Sequence, residues 1–266
     1  MKFISSIFLF CALHCVTSQK ALESRIYGGV VARANEFPFM ISLQVDGVPF
    51  CGGTLITSSF ILTTATCGEQ RFDTGPKMAV AGGHVFDTER PRIDSRVQSI
   101  EIFAFYNHPD YANNPFLDLA LARTRTPFTL NRYVLTISLA SPGVFDNRNL
   151  IIAGWGGITR TDGTPRYVTL RKAIVQVSTC RIVWAPTPVG DNDLCVQAPI
   201  GKPSPCAGDE GGPLIRQDAV GKYSLVGVIR YVPRPCGISE KGAIIMDVRD
   251  MEQIITNIIT SAPPIV

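Results

Sequence analysis

Phe37-Pro38-Phe39-Met40-Ile41-Ser42-Leu43-Gln44-Val45 is the stretch on which the fold class turns. Ile41, Leu43 and Val45 alternate with Ser42 and Gln44, the period of a strand with one buried face. Asp46-Gly47 follows as a hairpin turn signal, and apolar runs at 50–56 and 60–65 come directly after it. Segments 99–105, 117–122, 150–153, 174–177 and 223–229 are similar: short, bounded by turns, with no helical period between them. The chain is therefore expected to be all-β, made of barrels or sandwiches rather than βαβ units. One helix is expected at about 250–262. There Met251, Ile254, Ile255, Ile258 and Ile259 recur at three- and four-residue spacing, with Asp250 as N-cap and Pro263-Pro264 as the stop. Its polar face lacks the cationic stripe of a membrane-surface helix, so its expected role is to cover a barrel face.

The rest of the composition agrees. The chain has 266 residues, of which 45% are hydrophobic and 18% charged, so it can bury a core and is not expected to be disordered. Lys2, an apolar run at 4–16 and the small residues Val16-Thr17-Ser18 read as a secretory signal peptide over 1–18. That run is shorter than the ~20 residues of a membrane span, and no later segment is long and apolar enough. With Cys11 and Cys15 in the signal, six cysteines remain: Cys51, Cys67, Cys180, Cys195, Cys206 and Cys236. An even count in an exported chain suggests three disulfides, and the sequence leaves fifteen pairings open. The cysteines do not cluster with His as a metal site would, and Asp87, Glu89 and Asp94 are too loosely placed for a calcium loop, so no metal or other cofactor is expected.

Setting aside Lys2, Lys20, Glu23 and Arg25 leaves 22 basic and 21 acidic residues from Ile26 onward. Such a balance gives no reason to expect nucleic acid or an anionic membrane as partner. There is no Asn-x-Ser/Thr sequon.

Five segments in order resemble the chymotrypsin-like (trypsin-fold) serine proteases. They are Arg25-Ile26-Tyr27-Gly28-Gly29, Cys51-Gly52-Gly53-Thr54-Leu55-Ile56, Asp118-Leu119-Ala120-Leu121, Gly154-Trp155-Gly156 and Cys206-Ala207-Gly208-Asp209-Glu210-Gly211-Gly212-Pro213-Leu214. The resemblance implies a short propeptide over 19–25, a cut after Arg25, and one homology domain over 26–266. It implies two six-stranded barrels with the site between them, and the pairings Cys51–Cys67, Cys180–Cys195 and Cys206–Cys236. It also implies that a freed Ile26 ammonium buries itself against Asp209.

The same resemblance exposes two departures. The family's Thr-Ala-Ala-His-Cys is here Thr63-Thr64-Ala65-Thr66-Cys67, and its Gly-Asp-Ser-Gly-Gly is Gly208-Asp209-Glu210-Gly211-Gly212. Thr66 stands for the general base and Glu210 for the nucleophile, and only the acid Asp118 is kept. The triad needs His to take the serine proton and return it to the leaving amine, and a threonine hydroxyl does neither near neutral pH. His84 and His108 match non-catalytic positions and are not expected to substitute. A Glu210 carboxylate would occupy the oxyanion site at the Gly208 and Glu210 amides and repel a developing oxyanion. The substrate strand, Ser-Trp-Gly in the family, is Arg230-Tyr231-Val232, so Val232 is expected to narrow the slot. Its floor is the uncharged Ser204, and its lower wall keeps Gly242. With His gone, the Arg230 guanidinium is expected to fill the space and pair with Asp118, Glu210 or both.

The chain resembles arthropod digestive trypsin-like enzymes and mite group 3 allergens. Among inactive relatives it resembles the inactivated protease paralogues of the scabies mite. That resemblance implies a secreted, extracellular pseudoprotease that binds host serum or complement proteins and interferes with host defence. Two other readings stand beside it: an endopeptidase with weak or altered activity, and a decoy or cofactor that regulates an active protease.

Overall fold

The computed structural model describes residues 26–71, 75–86, 94–142, 149–156, 168–196, 200–237, 239 and 241–265. The expected signal peptide and propeptide, with Arg25, lie outside the described residues, as do Asp87 and Glu89. In chain order the elements are β1 (Val30–Val31), β2 (Met40–Val45), β3 (Val48–Leu55), β4 (Phe60–Thr63), α1 (Ala65–Glu69), β5 (Met78–Ala81), β6 (Val85–Phe86), β7 (Gln98–Asn107) and β8 (Ala120–Thr124). There follow β9 (Leu150–Gly154), β10 (Val168–Thr169), β11 (Arg171–Val175), β12 (Val177–Thr179), α2 (Cys180–Val183), β13 (Asp193–Val196), β14 (Pro213–Gln217), β15 (Tyr223–Tyr231), β16 (Ile244–Asp247) and α3 (Glu252–Ser261).

Strands β2-β3-β4-β8-β7-β5 close into a six-stranded barrel. Its first hairpin is fixed at Asp46 and Gly47, whose φ angles of +50° and +77° are those of a two-residue turn matched to strand twist. The expected half-buried strand proves to be buried on both faces. Ser42 and Gln44 are as enclosed as their apolar neighbours, and Gln44 Nε2 donates to Ser42 Oγ at 3.0 Å, which satisfies part of that polar face internally. Ile41, Leu43, Leu55 and Ile61 fill the barrel, each contributing about 1.5–3 kcal/mol by burial.

The second unit is an eight-stranded sheet in the order β1-β11-β9-β14-β15-β16-β13-β12. Only Gln176 separates β11 from β12, so one run of chain pairs with β9 in its first half and with β13 in its second. With that run counted once and the two-residue β1 set aside, six runs of chain form the sheet, as expected of a second barrel. The inner face carries Ile152, Leu214, Val226, Ile229 and Ile245.

The C-terminal helix is shorter than expected. α3 starts at Glu252 after Met251, which makes no side-chain cap, so Asp250 is not the N-cap. Met251, Ile255 and Ile258 carry the helix onto the core, so burial of one face rather than a capping bond fixes its position. The short helices α1 and α2 have no counterpart in the sequence reading. α1 begins where Thr64 leaves the strand and accepts the Cys67 amide on Oγ1 at 3.2 Å, an N-cap.

Candidate active-site cleft

Three disulfides, Cys51–Cys67, Cys180–Cys195 and Cys206–Cys236, are present, the pairs that the resemblance implies. Cys51–Cys67 ties β3 to α1 and so holds Thr66 over the end of the first barrel. Asp118 lies just before β8, Glu210 in the turn before β14, and Arg230 near the end of β15. A cleft of about 460 Å³ is lined by Thr66, Glu210, Arg230, Tyr231, Val232 and Arg234, among others. His84 and His108 do not line it. His108 is buried and accepts the Asp110 amide on Nδ1 at 3.2 Å. Among the described residues no three His, Cys, Asp or Glu come together as a metal site.

Thr66 takes both oxygens of Asp118. Its amide donates to Oδ1 at 2.8 Å and its hydroxyl to Oδ2 at 2.8 Å. Burial raises the Asp118 carboxyl above its ordinary range, while the two Thr66 donors and the positive charge of Arg230 pull it back. The Tyr111 hydroxyl donates to Glu69 Oε2 at 3.2 Å. Replacing Thr66 with alanine removes the hydroxyl donor from a buried carboxylate. The expected loss is about 1–3 kcal/mol, read as a lower denaturant midpoint, with Thr66→Ser retaining most of the stability.

Glu210 turns back on its own loop. Its Oε2 accepts the Gly208 amide at 2.6 Å, and its own amide also bonds the carboxylate. Gly208 reaches this geometry at φ +89°, a conformation open to glycine. Burial raises the Glu210 carboxyl against the pull of those two amides and of the Arg234 charge. The space to which the two N–H groups point is therefore filled by an anion of the same chain.

The structure corrects the expected partner of Arg230. The guanidinium is bidentate on Asp193, with Nε 3.2 Å from Oδ1 and Nη2 2.5 Å from Oδ2, and it lies over the Phe116 ring at 5.6 Å. Neither Asp118 nor Glu210 is its direct partner, because Thr66 satisfies the first and the loop amides the second. Asp193, with its side chain 1% exposed, has the greater need of a cation. Burial raises its carboxyl, and the Arg230 hydrogen bonds oppose the rise. The signal for this pair lay in an acid on the strand 193–196 beside Cys195, at a position whose neighbours face inward.

Val232 is buried with Ile229 and Ala243 in the second core, whereas Tyr231 is exposed and meets Trp184 edge-on at 5.4 Å. Ser204 is buried, donates its amide to the Tyr27 carbonyl at 3.1 Å, and does not line the cleft. A Cβ at Gly242 would lie 1.6 Å from the Val196 carbonyl oxygen, so that wall admits only glycine. Asp209 is wholly buried. Oδ1 accepts the Gly156 amide at 2.7 Å, Oδ2 the Cys206 amide at 2.9 Å, and the Ile26 amide also donates to the carboxylate.

The family model described as Trypsin matches residues 26–255. The chain belongs to the trypsin family. Over 214 residues it is 31% identical to the rat (Rattus norvegicus) protein named Transmembrane protease serine 9, a match that covers 78% of this chain and 20% of that protein. The trypsin-family domain thus spans about a fifth of the length of this relative. Among the described residues no helix is long and apolar enough to cross a membrane.

Proposed function

We propose that this chain is a non-catalytic member of the trypsin family that works outside the cell by binding a protein. The observation that carries the reading is the Glu210 carboxylate seated on the Gly208 amide at 2.6 Å and on its own amide. Acyl transfer needs a nucleophile at this place and free donors for the developing oxyanion. Here the nucleophile is a carboxylate, and its own oxygen holds the donors. Attack by a carboxylate on an amide would give an anhydride, and among the described residues that line the cleft no acid other than Glu210 itself is placed to assist the leaving amine. Thr66, at the position of the base, spends its hydroxyl proton on Asp118 and does not accept a proton near neutral pH.

The partner class we propose is a host serum protein, complement components included, as the resemblance to inactivated mite paralogues implies. Three disulfides support an oxidising, extracellular setting.

The test is hydrolysis. The chain, cut after Arg25, is expected to be silent on a mixed panel of peptides and proteins. Turnover above a contamination control overturns the reading. Thr66→His/Glu210→Ser combined with Arg230→Ser and Asp193→Asn serves as the comparison. The fourth change is needed because removing Arg230 alone would strand the buried Asp193. A silent chain that captures a discrete serum protein, in a manner saturable and competed by free protein, supports the binding role.

A further inference from the structure

We infer that the Glu210 carboxylate orders the 206–212 loop from within, so that the cleft is formed before any cut after Arg25. Most of the loop's amides find their partners inside the chain. The Gly208 amide is held by Glu210 Oε2 at 2.6 Å and the Glu210 amide by the same carboxylate. The Gly211 amide donates to the Ile229 carbonyl at 2.8 Å, and the Gly212 amide to the Asp209 carbonyl at 3.0 Å. The Glu210 carbonyl in turn accepts the Gly52 amide at 2.7 Å, which fastens the loop to the first barrel.

A freed ammonium is not required to complete this set. Asp209 accepts the amides of Gly156, Cys206 and Ile26, although burial outweighs them and keeps its carboxyl raised. Ile26 is fully buried. The Gly208, Asp209, Gly211 and Gly212 amides of the loop are already paired within the chain, so none of these waits for the cut. Other charges facing Glu210 are Asp209 and Arg234, and neither supplies a second bond to the Gly208 amide.

This deepens the proposed binding role, because a cleft ordered without the cut can bind in the uncut chain. The measurement reads amide exchange rather than hydrolysis, so the two proposals fail separately. The full sequence is produced in a secreting host, with Arg25→Gln as the uncut form, beside the natural chain cut after Arg25. Peptides covering 206–212 are expected to exchange within about twofold of one another in the two forms. Glu210→Ser in the uncut form is expected to speed exchange there by about tenfold or more, and cutting to slow it again. Glu210→Gln, whose oxygen still accepts the Gly208 amide, should stay near the natural chain.

An uncut natural loop that exchanges about tenfold faster than the cut one overturns the inference, since the new ammonium then does the ordering. So does a Glu210→Ser loop as slow uncut as the natural one. Exchange in β2 reports whether the serine variant folds. If it does not, the comparison of cut and uncut natural chain with Glu210→Gln decides.

Discussion

Asp193→Ala is expected to destabilise the protein by about 3–5 kcal/mol, close to the loss from Arg230→Ser. Each change leaves a charge in a place built for two. The Asp193 side chain is 1% exposed and that of Arg230 12%, so water screens neither well. The Asp193 carboxylate also accepts the Gly190 amide at 2.7 Å, and the Arg230 guanidinium covers Phe116 two residues before Asp118. Loss of the pair should therefore loosen the turn that carries Asp118 as well as the end of β15. Arg230→Met/Asp193→Leu should recover most of the stability, because an apolar pair of similar volume removes both desolvation costs. Urea unfolding of the natural chain, Asp193→Ala, Arg230→Ser and Asp193→Ala/Arg230→Ser gives the coupling. Two single losses below about 1 kcal/mol that simply add would show that the pair is not what holds this seam.

The second large effect is a dependence on pH. Burial raises the Asp209 carboxyl to about 7, with three backbone amides pulling the other way and the Glu210 charge adding to the rise. The unfolded chain gives up this proton near the ordinary value of 3.8. Between these pH values the folded uncut chain holds more protons than the unfolded one. Stability should thus fall as pH rises from about 4 to about 7 and level off above, by up to roughly 4 kcal/mol from this group. Asp118, Asp193 and Glu210 are shifted in the same direction, so the informative quantity is the difference from Asp209→Asn, whose profile should be flatter across that window. Cutting after Arg25 would bring a cation to the same carboxylate, lower its pKa and flatten the slope as well. A variant with the same slope as the uncut natural chain would show that Asp209 is ionised throughout.

Much of this architecture was legible in short-range signals. Asp46-Gly47 specified its turn because the torsions it needs are local. Thr66 and Glu210 could be placed because each stands inside a motif of fixed spacing. The partner of Arg230 could not be read in the same way. Asp193 is 37 residues away in sequence, and their meeting depends on the pairing of both β13 and β15 with β16. The emptied histidine space leaves no vacancy for Arg230 beside Asp118, because the carboxylate accepts the Thr66 amide and hydroxyl directly. The full burial of β2 was likewise hidden, because alternation shows which side is polar and not whether that side is covered.

The Glu210 carboxylate, folded back on the amides of its own loop, has a consequence for how this domain can change. A working acyl-transfer site keeps two N–H groups aimed at empty space until a substrate arrives, a local frustration retained for the reaction. This chain has resolved that frustration internally. Restoring serine at 210 should therefore lower stability even where it brings chemistry closer, the usual trade between activity and stability run in reverse. A domain relieved of that demand no longer needs its surrounding loops to hold a reacting geometry, and they become free to vary in shape and charge around a rigid frame.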